Sequence, residues 1–201
     1  MLYIFDIGGV VTSTFDYNQV FKRLGITSEQ FYALCKIDDG YFPHGKRDIW
    51  EELQCGWLTN DEFWKLFQRT SGIRIDFDYF RLLFHPVLME DTIEVIRDLK
   101  KRDPSCRVIA GTNTIQSHYE IHIERGDYAC FDNTYASNKI HLSKPGTDFF
   151  KVILEAEGVK PEDAFFTDDK AGNCLAAESL GIKTYCFDNA AGLREKLGLN
   201  K

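Results

Sequence analysis

The apolar positions of this chain follow two rhythms, one typical of strands and one of helices. Short apolar runs predict five strands: Leu2–Phe5, Arg107–Thr112, Ala129–Tyr135, Ala164–Thr167 and Lys183–Phe187. Between them, apolar residues recur at the three- and four-residue spacing of amphipathic helices, as in Ile93, Ile96 and Leu99. This spacing predicts the helices Asp91–Lys101, Gln116–Arg125, Gly146–Gly158 and Gly172–Leu180. Alternating strands and helices predict a doubly wound α/β fold with a parallel sheet.

The stretch between the first strand and residue 87 lacks this alternation. Its aromatic-rich pattern predicts helices at Asp16–Leu24, Ser28–Leu34, Asp48–Leu53, behind Thr59, and at Phe77–Phe84. Ser28 is a candidate N-cap, and Thr59 followed by Glu62 predicts a capping box. We therefore expect a catalytic core of residues 1–14 and 87–201, with a helical bundle, residues 15–86, inserted after the first strand.

Polar residues cluster where the predicted strands end. They are Asp6, followed by the glycine turn of Gly8 and Gly9, then Thr112 and Asn113, then Lys144 before a helix, and finally Asp168 and Asp169. Because the carboxyl ends of parallel strands share one edge of the sheet, we expect these groups to converge. A simpler interpretation of Asp6 alone is that it ends a strand and caps a turn.

Three acids at this edge, Asp6, Asp168 and Asp169, repel one another unless a cation or a proton intervenes. Mg²⁺, a hard cation with oxygen ligands, suits such a cluster. Lys144 supplies the further positive charge that a phosphate needs, and Thr112 can donate a hydrogen bond to a phosphate oxygen.

Net charge and composition limit the classes of partner that the protein is expected to bind. The formal net charge of −7 argues against a nucleic-acid or anionic-membrane binder, which needs a basic excess. No segment approaches the roughly 20 apolar residues of a membrane helix. The six cysteines form no C-x-x-C pair, and their irregular spacing favours free thiols over a zinc site or a disulfide framework. With a strand beginning at Leu2, we expect a cytoplasmic protein without a removable leader.

The order D-x-G-G-V, then T-N, then K-P, then D-D resembles the haloacid dehalogenase-like hydrolase superfamily. The resemblance covers the whole chain, with residues 15–86 similar to the family's helical cap. It implies a phosphatase in which Asp6 forms an aspartyl-phosphate that water hydrolyses. Thr112, Asn113 and Lys144 would bind the phosphate of a small metabolite, such as a sugar phosphate or a nucleotide. The implied ligands of Mg²⁺ are Asp6, the Gly8 carbonyl, Asp168 and Asp169.

One departure concerns proton transfer. Many phosphatases of this family carry a second Asp two residues after the nucleophile, where this chain has Gly8. Three alternatives follow. Another group, such as Asp16, replaces the acid; the leaving group needs little help; or the protein is a 2-haloacid dehalogenase or a non-catalytic binding relative. General acid–base help is typically worth about 10²–10⁴-fold.

Other patterns are interpreted structurally. His118 and His122 lie on one helix with Glu120 and Glu124, which indicates a solvated face more than a metal site. Asp38-Asp39-Gly40 reads as a turn. Helical spacing indicates that most of the insert's aromatic residues pack its core: Phe42, Trp50, Trp57, Phe63 and Trp64.

Overall fold

The computed structural model describes residues 1–36 and 48–199. Asp38-Asp39-Gly40 and Phe42, two of the sequence interpretations, lie outside the described residues. Among the helices of the described part, none is long and apolar enough to cross a lipid bilayer.

A five-stranded parallel sheet forms the centre of the molecule, as predicted. Its strands are β1 Leu2–Phe5, β2 Arg107–Thr112, β3 Asn133–Ala136, β4 Ala164–Asp168 and β5 Lys183–Cys186. Their order is β3-β2-β1-β4-β5, so β1 is central, and Ile4 pairs with Ile109 on one side and Phe166 on the other. All four residues of β1 are buried because helices cover both faces of the sheet, which is why the strand reads as a continuous apolar run.

Alternate residues of the strands supply two separate cores. Tyr3 and Phe5 point to one face, where α6 (Glu90–Arg102) and α11 (Ala190–Lys196) cover the sheet, whereas Leu2 and Ile4 point to the other, covered by α9 (Thr147–Glu157) and α10 (Ala171–Glu178). The helices of this part are α6 Glu90–Arg102, α7 Gln116–Arg125, α8 Ser137–Ile140, α9 Thr147–Glu157, α10 Ala171–Glu178 and α11 Ala190–Lys196. The sheet with helices on both faces confirms the predicted fold class.

Five helices lie between β1 and α6 in the described residues and share a third hydrophobic cluster. They are α1 Asn18–Leu24, α2 Ser28–Cys35, α3 Ile49–Gln54, α4 Asn60–Ser71 and α5 Tyr79–Leu83. Trp50, Phe63 and Trp64 are buried in this cluster, whereas Trp57 is 39% exposed and stacks on His141. We call residues 15–36 and 48–86 the helical segment.

The ends of these helices follow local capping. Thr59 and Glu62 form the predicted capping box at α4. The predicted N-cap Ser28 is wrong by one residue: the Thr27 side chain accepts from Gln30 N–H, and Gln30 bonds back to Thr27.

Two predicted boundaries need larger corrections. The third strand begins at Asn133 and not at Ala129, because turn hydrogen bonds from Ala129 N–H to Gly126 and from Phe131 N–H to Tyr128 occupy the backbone first. The last helix of the segment begins at Tyr79 and not at Phe77, since the Asp78 side chain caps it.

Polar contacts join the helical segment to the sheet portion. The Asn60 amide donates to Ser117 Oγ at 2.8 Å, and Ser137 Oγ donates to the Gln54 carbonyl at 2.7 Å. Gly56 packs so closely that an added Cβ would lie 2.1 Å from the Asn138 carbonyl oxygen. The segment is thereby held over the carboxyl edge of the sheet.

Candidate active site

Three adjacent strands deliver the central residues of the site. Asp6 directly follows β1, while Thr112 and Asp168 are the last residues of β2 and β4, which flank β1. All three side chains are at least 92% buried and meet at the carboxyl edge, as the sequence predicts for a parallel sheet.

Lys144 joins these strands through a buried ion-pair network. Its Nζ lies 2.9 Å from Asp6 Oδ1 and 2.6 Å from Asp168 Oδ2, and it also donates to the Gly111 carbonyl at 2.8 Å. A buried ammonium needs such partners, because an unpaired charge in the interior is strongly destabilising. Lys144 is thus surrounded by three acceptors on three neighbouring strands.

Asn113 positions Lys144. Its Nδ2 donates to the Lys144 carbonyl at 2.7 Å, and its Oδ1 accepts from the Lys144 N–H at 2.9 Å. Both polar atoms of this amide are therefore engaged with one backbone unit. The sequence predicts Asn113 beside the substrate, but no pattern in it indicates these two hydrogen bonds to the Lys144 backbone.

The network sets the protonation of its carboxyl groups. Burial raises the pKa of Asp6 to about 6, with Asp168 adding to the rise and Lys144 opposing it. Burial favours a higher pKa for Asp168 as well. The charge and hydrogen bond of Lys144 have the larger effect and hold the pKa of Asp168 below its usual range. Burial alone would lower the pKa of Lys144, yet the two carboxylates raise it, so the ammonium remains charged.

Asp169 carries a buried oxygen without a hydrogen-bond partner in the described part of the chain. Asp6, Asp168 and Asp169 offer oxygen atoms within 4.8 Å of one another. Both oxygens of Asp168 already accept hydrogen bonds, from Lys170 N–H and from Asn173 and Lys144, whereas Asp169 Oδ1 is buried and unpaired among the described residues. Burial and the neighbouring Asp168 charge raise the pKa of Asp169. An orphaned carboxylate oxygen in an acidic cluster suits a divalent cation.

The two glycines after β1 differ in whether the structure requires glycine at their position. Gly9 has a φ of +87°, and a Cβ there would lie 2.6 Å from Asp169 Oδ2, so this position requires glycine. Gly8 lies outside the left-handed region, and an added Cβ would meet nothing within 4 Å. The hydrogen bonds of the turn are accepted by the Ile7 and Thr12 carbonyls and do not use the Gly8 carbonyl.

A cavity of about 90 Å³ lies above Asp6. Its floor includes Thr112 and Lys144, with Lys170 beside them. Its lining also includes rings from the helical segment and α7: Phe15, Tyr17, Phe84, His118 and His122.

The prediction that His118 and His122 form a solvated face is wrong. Both are 4% exposed, and His118 stacks on Phe84 with ring centroids 3.7 Å apart. His122 Nδ1 lies 2.8 Å from Asp127 Oδ2. With Ile115 they follow an i, i+3, i+7 stripe, which is the sequence signal that identifies the buried face of α7.

Asp16, a sequence candidate for the missing acid, is not among the residues that line the cavity above Asp6. It is exposed, and its Oδ1 accepts from the backbone and side-chain nitrogens of Asn18 at 3.0 and 2.8 Å. It borders a second cavity and not the one above Asp6.

Solved structures share this architecture. A HAD family enzyme from Bacteroides thetaiotaomicron, in complex with magnesium and inorganic phosphate, superposes with a TM-score of 0.72 at 22% identity, covering 96% of this chain and 98% of that one. A HAD-like family hydrolase from Porphyromonas gingivalis gives a TM-score of 0.74 at 24% identity, covering 100% of this chain and 98% of that one. At these identities the likeness shows the fold.

Two curated relatives come from filamentous fungi. The sesquiterpene phosphatase astK of Aspergillus oryzae is 27% identical over 194 residues, covering 89% of this chain and 85% of its own length. Drimenol cyclase drtB of Aspergillus calidoustus is 28% identical over 155 residues, which cover 75% of this chain; the match spans only 29% of the cyclase.

The family model of haloacid dehalogenase-like hydrolases matches residues 1–181 of the 201. That span includes β1 with Asp6, the helical segment, Lys144 and the Asp168–Asp169 pair. The chain therefore belongs to the haloacid dehalogenase-like hydrolases.

Proposed function

We propose that this hydrolase is a Mg²⁺-dependent phosphomonoesterase that acts through an aspartyl-phosphate on Asp6. The observation that carries the proposal is the buried Lys144, paired with both Asp6 and Asp168 beneath the cavity. Such a cation stabilises a carboxylate nucleophile and offers positive charge to a phosphoryl group above it.

The Asp6 carboxylate is oriented so that one of its two oxygens attacks phosphorus. Its Oδ1 accepts from Ile7 N–H at 2.8 Å and faces Lys144, which leaves Oδ2 as the nucleophilic atom. The Asp6 oxygen bonds to phosphorus as the bond from phosphorus to the alcohol oxygen breaks, and the departing oxygen takes a proton from water. Water then cleaves the acyl phosphate and regenerates Asp6. Thr112 Oγ1 donates to an oxygen of the phosphoryl group.

The residues present fit a magnesium ion. Asp169 Oδ1 is a buried ligand atom with no hydrogen-bond partner among the described residues, and Asp6, Asp168 and the Gly8 carbonyl complete the predicted set. When bound, Mg²⁺ neutralises charge on the transferring phosphoryl oxygens. The Bacteroides relative, solved with magnesium and inorganic phosphate, supports this proposal.

The helical segment serves in this proposal as the cap, with residues 15–86 as the insert and residues 1–14 and 87–201 as the catalytic core. The substrate is a small phosphate monoester. The sequence favours a sugar phosphate or a nucleotide, and the fungal relative named a sesquiterpene phosphatase adds isoprenoid phosphates to these classes.

A 2-haloacid dehalogenase, in which Asp6 attacks carbon, is the second candidate, and the missing acid at Gly8 is the observation that favours it. The unpaired Asp169 oxygen favours the phosphatase, because the dehalogenase reaction needs no metal. A non-catalytic relative would bind phosphate or its analogues without turnover.

The test is hydrolysis of a panel of phosphate monoesters and 2-haloacids with Mg²⁺ or with EDTA. We expect phosphate release that EDTA abolishes and Mg²⁺ restores, and Asp169→Asn to need a higher Mg²⁺ concentration for half-maximal activity. Asp163→Asn, which changes an exposed acid, is the matched control. Halide release that persists in EDTA, or no turnover of any compound, would contradict the proposal.

A further inference from the structure

Two neighbouring cavities meet at a pair of aromatic rings. Beyond the cavity above Asp6 lies an outer cavity of about 240 Å³, lined by the two chain crossings that join the helical segment to the sheet portion, residues 13–16 and 83–86. Four residues border both cavities: Ser13, Thr14 and Phe15 from one crossing and Phe84 from the other. The ring centroids of Phe15 and Phe84 are 5.5 Å apart and their planes are tilted by 72°.

Further rings extend this pair into an aromatic collar, which we define as Phe15, Tyr17, Phe84 and His118. Phe15 lies 4.7 Å from Tyr17 and 4.8 Å from His118, both in edge-on geometry. His118 is stacked on Phe84, and burial lowers the pKa of His118 to about 3, so its ring is neutral near pH 7. The collar therefore presents uncharged ring surface directly next to the phosphoryl position.

The charged groups of the inner cavity come from other elements than the collar. Among its described lining residues, the two ammonium groups, Lys144 and Lys170, come from the loop before α9 and the N-cap of α10. The collar holds no cation, and the carboxylate of Asp16 beyond it is already bonded to Asn18. A substrate with its phosphate over Asp6 would therefore pass its first carbon atoms between the rings of the collar.

We propose that the aromatic collar selects monophosphates of apolar alcohols, whose alkyl, alkenyl or aryl group passes Phe15 and Phe84 toward the outer cavity. This inference rests on the proposed phosphatase function and chooses among its substrate classes. A polyol would place hydroxyl groups against the ring faces, where Ser13 and Thr14 are the hydroxyl residues that border both cavities. An alkyl chain needs no hydrogen-bond partner against the same rings and gains free energy by leaving water.

Two six-carbon primary monoesters that differ only in hydroxyl groups make the test sharp. Hexyl phosphate and sorbitol 6-phosphate are compared as competitive inhibitors of Mg²⁺-dependent 4-nitrophenyl phosphate hydrolysis, so that slow turnover of either ester does not obscure its binding. We expect the inhibition constant of hexyl phosphate to be at least about tenfold lower. Equal constants, or tighter binding of sorbitol 6-phosphate, would overturn the inference while leaving the phosphatase proposal intact.

Substitutions then assign the preference to the collar. Phe15→Ala, at a half-buried position, should reduce the hexyl preference several-fold with little change for sorbitol 6-phosphate, and Phe84→Leu should act in the same direction. Phe77→Ala, at a ring that is 62% exposed, is the matched control and should keep the wild-type ratio. An unchanged ratio in both folded collar variants would also overturn the inference. Absence of any 4-nitrophenyl phosphate hydrolysis would instead remove the underlying function.

Discussion

At the scale of single residues, the site is a balance of buried charge. One ammonium, Lys144, faces two carboxylates, Asp6 and Asp168, and a third, Asp169, stands beside them. The four groups carry a net charge of −2 when all are ionised, which a divalent cation neutralises. Gly8 occupies the position where many phosphatases of this family carry an acid, so in the proposed mechanism this position supplies no proton to the leaving alcohol.

Gly8 therefore predicts a steep dependence on the leaving group. In the wild type, log(kcat/KM) for a series of phosphate monoesters should fall as the pKa of the leaving alcohol rises, because a poor leaving group needs a proton in the transition state. Gly8→Asp should flatten this dependence by accelerating the poor leaving groups most, since its backbone is unstrained and a Cβ has open space.

Gly9→Ala is the matched control, because its Cβ would displace Asp169 and strain a φ of +87°. It should lose activity with every leaving group. A flat line for the wild type, unchanged when viscosity is raised, would mean that another residue donates the proton.

At the scale of elements, α7 links the helical segment to the site. Its outer face carries Glu120 and Glu124, both paired with Arg81 of α5 at 3.2 and 2.7 Å. Its inner face carries His118 and His122 against Phe84. The acidic residues alone suggested a solvated helix, whereas the two faces together make α7 amphipathic.

Burial of His118 predicts a loss of stability in acid. Its pKa in the folded protein, about 3, lies below the unfolded value of 6.5, so the unfolded state binds the proton first as the pH falls. The free energy of unfolding should therefore decrease below about pH 6.5, by up to about 1.4 kcal/mol per pH unit for this group. His122, the neighbouring histidine on α7, has its pKa lowered in the same direction and adds to the trend.

Urea unfolding of the wild type and of His118→Phe at about pH 7 and about pH 5 measures this effect. The variant, which keeps a ring against Phe84, should lose less stability between the two pH values. Equal losses in both proteins would show that His118 titrates alike in the folded and unfolded states.

At the scale of the whole molecule, the hydrophobic pattern was sufficient for the five parallel strands and for most of the helices between them, whereas α8 and α11 were not predicted. Strand-end positions such as Asp6 and Thr112 followed from the rule that parallel strands share an edge. What the pattern did not supply were contacts between distant segments. The pairing of Asn113 with Lys144 and the placement of Phe15 beside Phe84 depend on tertiary packing and leave no local periodicity in the sequence.

The error at the third strand has a local origin. Cys130 and Phe131 are partly buried against the core, so their apolar character extended the predicted strand, but they belong to the turn that follows the left-handed Gly126. Apolar side chains report burial more reliably than backbone conformation, and here a glycine decided the conformation.

The proposed function depends most on the formation of a covalent phosphoryl intermediate at Asp6. Rapid quenching during turnover, followed by borohydride, reduces an acyl phosphate to an alcohol, and peptide mass spectrometry assigns the change to one residue. We expect the modification at Asp6 in the wild type with Mg²⁺ and substrate, and none in Asp6→Asn, which should fold but lose nearly all hydrolysis. Continued phosphate release by Asp6→Asn, or a modification at another residue during wild-type turnover, would contradict the account.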